Sequence, residues 1–289
     1  MLSRRAVIKG LAFTGIGSAT ATTTYGVAYA RHQIGVTRAT LHVAGLPPAL
    51  DGLRIGLLTD IHHSAMVPAE DVSRAVDLAQ AEQPDLVVLG GDFVTDGDRA
   101  FTGPVAELVA PLRAPHGVFA ILGNHDDERA VPEALTRQGI EVLKDACTRL
   151  DIRGTPLDLV GVRFWTRRAT EIARIAKGTG GTTILLAHDP RRLSEASSLK
   201  IPAVLSGHTH GGQVVLPGIG PLVRRRFPVL EGLGARGASS IFVSRGVGTV
   251  YVPMRINCPP EVAIVTLTGG APDRGSADLR GASPLPARD

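Results

Sequence analysis

Ser206-Gly207-His208-Thr209-His210-Gly211-Gly212-Gln213 follows the apolar run Ala203-Val204-Leu205. A strand ending in a Gly-rich turn would bring both imidazoles to one open edge, and imidazole is the commonest protein metal ligand. Two rings cannot fill a metal's coordination shell, so further ligands are expected upstream. Candidates stand at the ends of four other apolar runs: Asp60 with His62, Asp92, Asn124 with His125 and Asp126, and His188. Sites in open α/β sheets lie beyond the carboxyl ends of parallel strands, and all these positions satisfy that rule.

Working outward, the chain reads as alternating strands and helices. Leu53 to Leu58 forms a buried strand that runs into Thr59-Asp60. A helix follows: Pro68 suits its first turn, Glu70 and Asp71 favour its N-terminal dipole, and Val72, Ala75, Val76 and Ala79 share one face. Asp85 to Leu89, a helix near Pro104 to Leu112, and Val118 to Leu122 continue a β-α-β-α-β order, which predicts a parallel sheet with helices outside. Residues 34–44 form an edge strand.

The later half changes character. Residues 140–165 read as short strands around Gly154-Thr155-Pro156, followed by a short helix near Glu171 to Ala176. Thr182 to Ala187 is a strand ending at His188, and Pro190 opens a helix. Val214 to Leu216, Ser240 to Ser244 and Glu261 to Leu267 are late strands with little helix between them. The expected fold class is α/β: a four-layer αββα sandwich of two packed mixed β-sheets, with helices on the outer faces and loops gathered at one rim.

The 289 residues, 44% hydrophobic, suffice for a large core. Formal net charge is +4, but residues 1–30 carry Arg4, Arg5 and Lys9 and no acid, so the rest is close to neutral. Charge therefore gives no case for specific nucleic-acid binding. Cys147 and Cys258, far apart in sequence, allow one disulfide but not a disulfide framework, and two free, buried thiols are the favoured reading. Residues 1–30 run from a charged start through a soft apolar stretch to Ala28-Tyr29-Ala30, the order of a secretory signal. The paired arginines resemble the twin-arginine export signal of bacteria. Thr14, Ser18, Thr20, Thr22, Thr23 and Thr24 weaken the alternative of a membrane span. Residues 31–268 form the predicted catalytic domain, and residues 269–289, nearly free of large apolar groups, a disordered tail.

The ordered blocks Asp60-x-His62, Gly91-Asp92, Gly123-Asn124-His125-Asp126, His188 and Gly207-His208-x-His210 resemble the calcineurin-like metallophosphoesterases. Ser244-Arg245-Gly246-Val247-Gly248 and Asn257-Cys258-Pro259-Pro260-Glu261 look like the exported or membrane-bound bacterial branch. One departure is that many members carry a second acid three positions after the Gly-Asp aspartate. Thr95 stands there, with Asp96 one further on.

The resemblance implies that Asp60, His62 and His210 hold one divalent metal and Asn124, His188 and His208 the other, with Asp92 bridging both. His125 would not ligate but would face the phosphate as general acid, with Asp126 orienting it and favouring its charged form. Two such cations would lower the pKa of a bridging water and clamp phosphoryl oxygens for in-line attack. A leaving group also needs a proton, which imidazole can give. Nitrogen and oxygen ligands without thiolate fit Mn, Fe, Zn or Co.

The expected function is metal-dependent phosphoester hydrolysis, with diesters favoured and lipid- or cell-wall-linked esters as substrates, at the envelope after twin-arginine (Tat) export. A non-catalytic metal-bound scaffold is the alternative, against which His125 argues. Arg224-Arg225-Arg226 is a candidate contact for an anionic membrane surface. Arg245 and Arg255 are candidates for binding phosphate, for buried ion pairs or for plain surface positions. His63 is expected in a solvated turn, and Trp165 with Phe164 in the core.

Overall fold

The computed structural model describes residues 22–221 and 227–270. Arg224 to Arg226, the leading residues 1–21 and the predicted tail from 271 onward lie outside the described residues. The strands are β1 (Gly35–His42), β2 (Arg54–Leu58), β3 (Leu86–Leu89), β4 (Val118–Ala120), β5 (Glu141–Val142), β6 (Ala146–Ile152) and β7 (Thr155–Val162). They continue with β8 (Thr182–Ala187), β9 (Ala203–Ser206), β10 (Val215–Leu216), β11 (Gly220–Pro221), β12 (Gly232–Arg236), β13 (Ser239–Val243) and β14 (Glu261–Thr268). The helices are α1 (residues 22–28), α2 (Ala69–Ala81), α3 (Thr102–Val109), α4 (Ala130–Arg137), α5 (Ala169–Ile175) and α6 (Leu193–Ser198).

Among the described residues two six-stranded sheets form, in the orders β1-β14-β2-β3-β4-β5 and β12-β13-β9-β8-β7-β6. Strands β2 to β5 are parallel, as the βαβ pattern predicts. The last strand, β14, returns to lie between β1 and β2, antiparallel to β2, and makes this sheet mixed. In the second sheet β13, β9, β8 and β7 are parallel and both outer strands are antiparallel.

Alternation along each strand separates three apolar layers. Ile55, Leu57, Leu86 and Val88 meet Leu157, Leu159, Ile184, Leu186 and Leu205 between the sheets. Val87 and Leu89 point the other way, under Val72, Val76, Val105 and Leu135 of α2 to α4. Val160, Leu185 and Val204 pack under Ile172, Leu193 and Ala196 of α5 and α6. The result is an αββα sandwich. The sequence reading misses α4 and β12, both short. Residues of α1 also pack on the domain, with the Arg255 amide donating to the Gly26 carbonyl at 3.2 Å.

Candidate metal centre

Strands β2, β3, β4, β8 and β9 all end at one rim, which delivers Asp60 and His62, Asp92, Asn124 to Asp126, His188, and His208 with His210 to the same place. Ligand atoms of Asp60, His62 and His210 lie within 4.8 Å of one another, as do those of Asp92, His188 and His208. A third such group, His62, Asp92 and His125, joins the two. Asp60, His62, Asp92, His188 and His210 are buried.

The backbone is shaped for this convergence. Asp60, His62, Asp92, His208 and His210 all have φ between 50° and 72°, a left-handed conformation that costs a non-glycine residue energy and tends to mark functional sites. Two glycines permit the close approach. A Cβ on Gly123 would lie 2.0 Å from Asp92 Oδ1, and one on Gly207 would lie 2.3 Å from Asp60 Oδ2.

Hydrogen bonds fix the acids. Both Asp60 oxygens accept from the His208 amide at 3.0 Å, and the Thr59 hydroxyl donates to Oδ2 at 2.7 Å. Asp92 Oδ1 accepts from the His125 amide at 2.9 Å. Asp126 accepts from the amides of Asp92, Phe93 and Gly123 at 2.7–2.9 Å. The expectation that Asp126 orients His125 therefore needs correction: its carboxylate is spent on the backbone and pins the Asp92 turn. Asp96 takes that place, with its amide 3.0 Å and its Oδ1 2.9 Å from His125 Nδ1. The acid one position late in the sequence is the signal for this contact. Thr95, at the usual acid position, has its hydroxyl 3.3 Å from His62 Nδ1.

The donor set passes a direct test for cations. His188 Nδ1 donates to the Gly90 carbonyl at 2.8 Å, so the neutral ring has a bare lone pair on Nε2. That nitrogen lies 3.0 Å from Asp92 Oδ2, a gap that a proton or a cation would fill. His62 Nε2 and His210 Nε2 are 3.2 Å apart. Asn124 Oδ1 and His208 Nε2 are buried without partners. Buried polar atoms normally find partners, and a cation would satisfy each of these.

The electrostatics agree. Burial, reinforced by the charge of Asp92, raises Asp60 to about 6 and Asp126 to about 7. Burial lowers His62 to about 4 and His208 to about 3, and drives His210 well below 6.5. Burial alone would lower His188, but Asp92 and Asp60 override it and push that ring up to about 10. Asp92 is held low by His188, His62 and His125 against its own burial. Without metal, one proton thus sits where a cation would.

Several lesser expectations also need correction. His63 is buried, not solvated, because Nδ1 bonds the Val67 carbonyl at 2.9 Å and its ring packs edge-on against Phe101. Trp165 is exposed; Phe164 alone turns inward, with its ring 5.2 Å from that of His208. Cys147 is exposed on β6, a strand at the sheet edge, while Cys258 is buried with Sγ 3.1 Å from the His210 carbonyl. Arg255 is fully buried and donates to the carbonyls of Arg245, Gly246, Gly248 and Cys258. Arg245 makes the ion pairs that were one of its expected readings, with Glu261 and Glu231. Both arginines brace the loop behind the site.

Two packed sheets with buried Asp, Asn and His groups gathered at one rim define the architecture of a candidate two-metal hydrolase. A family profile, calcineurin-like phosphoesterase, matches residues 53–212, more than half of the chain, and the chain belongs to that family. It is 29% identical to the uncharacterized metallophosphoesterase YkuE of Bacillus subtilis, over 92% of this chain and 98% of that one. Identity to the phosphodiesterase YaeI of Escherichia coli is 32%, covering 74% of this chain and 82% of the relative. An uncharacterized metallophosphoesterase of Aquifex aeolicus is 32% identical, covering 81% and 92%.

Proposed function

We propose that this chain hydrolyses phosphate esters, with diesters favoured, at two divalent cations. Asp60, His62 and His210 would hold one cation, Asn124, His188 and His208 the other, and Asp92 both. The observation that carries this reading is the convergence of two three-residue clusters, each with its ligand atoms within 4.8 Å of one another, beside buried nitrogens and oxygens that lack hydrogen-bond partners. When bound, the cations would polarise phosphoryl oxygens and activate a water; Mn, Fe, Zn and Co all suit the ligands.

The protein's own contribution is position and a proton. As the acid, His125 carries protons on both nitrogens, with the one on Nδ1 held by Asp96 Oδ1 at 2.9 Å. The Nε2 proton goes to the leaving-group oxygen and leaves a neutral ring; general acid catalysis of this kind is worth roughly 10²–10⁴-fold. The neutral ring can then accept the Asp96 amide at Nδ1. Asp126 keeps the Asp92 turn in its strained conformation through three backbone amides.

The diester preference draws on the relative named a phosphodiesterase. The order of charges and apolar residues in 1–30 supports delivery by the twin-arginine machinery to the envelope, where lipid- or cell-wall-linked phosphodiesters are the substrate class. The reading is tested by loading the folded protein with Mn²⁺, Fe²⁺, Zn²⁺ or Co²⁺, measuring bound metal, and comparing bis(p-nitrophenyl) phosphate with p-nitrophenyl phosphate. Faster turnover of the diester is expected. Bound metal with no turnover of either ester would replace hydrolysis by the scaffold alternative.

A further inference from the structure

Beside the metal centre stands an apolar rim that no step of the proposed hydrolysis uses. Tyr251 is 67% exposed and Val252 47% exposed, and the Tyr251 ring centroid lies 5.8 Å from that of His125. Tyr251 has φ 61°, an unfavourable conformation for a bulky residue. Its loop is braced from within: Gln213 donates to the carbonyls of Val250 and Val252 and accepts from the Val250 amide.

Helix α1 packs against the same loop. The Arg255 amide bonds the Gly26 carbonyl, and a Cβ on Gly26 would lie 2.7 Å from Met254 Cγ. The helix adds two more exposed rings, Tyr25 at 55% and Tyr29 at 52%, with centroids 5.3 Å apart. Arg31 ties its end down, donating to the carbonyls of Val27 and Met66. The sequence running into α1 carries Arg4, Arg5 and Lys9, no acid, and no charge from 10 to 21. Among the described residues no helix is long and apolar enough to cross a membrane.

Contiguous exposed apolar groups mark contact surfaces. Tyrosines favour the membrane–water interface, and basic residues are drawn to anionic leaflets. We infer that, in the chain that retains residues 22–30, Tyr25 and Tyr29 of α1 and Tyr251 and Val252 of the loop it packs on dock on the surface of a lipid bilayer containing anionic phospholipid. The mouth beside His125 then opens at the level of the headgroups. The inference rests on the proposed reading in taking that mouth as the substrate entrance, but its test reads lipid contact and not turnover.

The full chain carrying Trp165→Phe and Tyr251→Trp has its sole tryptophan at the rim. After circular dichroism shows native folding, it is mixed with phosphatidylcholine vesicles containing phosphatidylglycerol, with and without brominated acyl chains. Docking is expected to shift the emission to shorter wavelength and to give loss of intensity with brominated lipid. Co-sedimentation with unchanged emission would mean that residues 1–21 alone reach the membrane and would overturn the inference. So would failure to co-sediment, including the case in which sedimentation velocity finds a dimer using this face. If the variant misfolds, Tyr29→Trp in the Trp165→Phe background repeats the measurement from α1, with the same outcomes deciding.

Discussion

The two sheets bring different chemistry to their shared rim. The sheet containing β2, β3 and β4 supplies every candidate oxygen ligand, Asp60, Asp92 and Asn124, together with His62. The sheet containing β8 and β9 supplies imidazoles alone, His188, His208 and His210. On the first rim burial pushes Asp60 toward neutrality while Asp92 is held low; on the second burial strips His208 and His210 of protons while His188 keeps one beside Asp92. Each arrangement is unfavourable alone, and cations between them would satisfy both. The rims already touch, through the Asp60–His208 amide bonds and the bond from His188 Nδ1 to the Gly90 carbonyl. The centre is thus a clasp across the sandwich as well as a site for chemistry.

Removing the shared carboxylate should break that clasp most completely. Asp92→Asn is expected to lose both cations, by more than the roughly 10–100-fold in metal affinity that losing an outer-shell partner costs. Metal content and diester turnover should fall together. Two metals retained in this variant would mean that the rims hold independent sites. His125→Ala separates chemistry from assembly. It should keep its metal yet lose roughly 10²–10⁴-fold in kcat, because only the proton donor is gone. Unchanged kcat would remove the acid role and leave His125 as lining.

How legible this was differs between the rims and what supports them. The gathering of the candidate ligands was readable because each follows an apolar run, and a strand end is a place that sequence marks. The four layers followed from the βαβ order and the late strands. The insertion of β14 between β1 and β2 was not legible, since pairing between residues so distant is set by tertiary packing that no local pattern records. Asp126 and Asp96 could not be told apart either. Both are acids near His125 in the folded chain, and only the backbone path decides which carboxylate meets amides and which meets the ring. His63 looked solvated because a turn normally is, until Phe101 covered it.

Chelation tests the clasp without a mutation. A ligand present at a hundred times its dissociation constant stabilises the native state by about 2.7 kcal/mol. Stripping the metal should therefore lower the thermal midpoint, read by calorimetry with and without chelator at pH 7. The drop should shrink in Asp92→Asn, which has little metal to lose. An unchanged midpoint after complete metal removal would mean that the facing rims tolerate their lone pairs unaided.

The most specific expectation is a slope, about tenfold in metal affinity per pH unit. In the metal-free protein the His188 ring is raised to about 10, so below that pH a proton must leave before a cation enters. His62 at about 4 and His208 at about 3 have no proton to release near neutrality. Apparent metal affinity should therefore rise about tenfold per unit from pH 6 to 10 and level off above. Below about 6, Asp60 adds a second proton and the dependence steepens. The same proton acts oppositely on the metal-free fold. A group raised from 6.5 to about 10 contributes stability that is fully present below 6.5 and lost as pH rises through 10. Between pH 7 and 10 the chelated protein should thus lose stability from this ring while the loaded protein gains metal affinity. Competition titrations and denaturation curves at matched pH would show the two trends diverging. Parallel trends would mean that the proton and the cation do not share one place between Asp92 and His188.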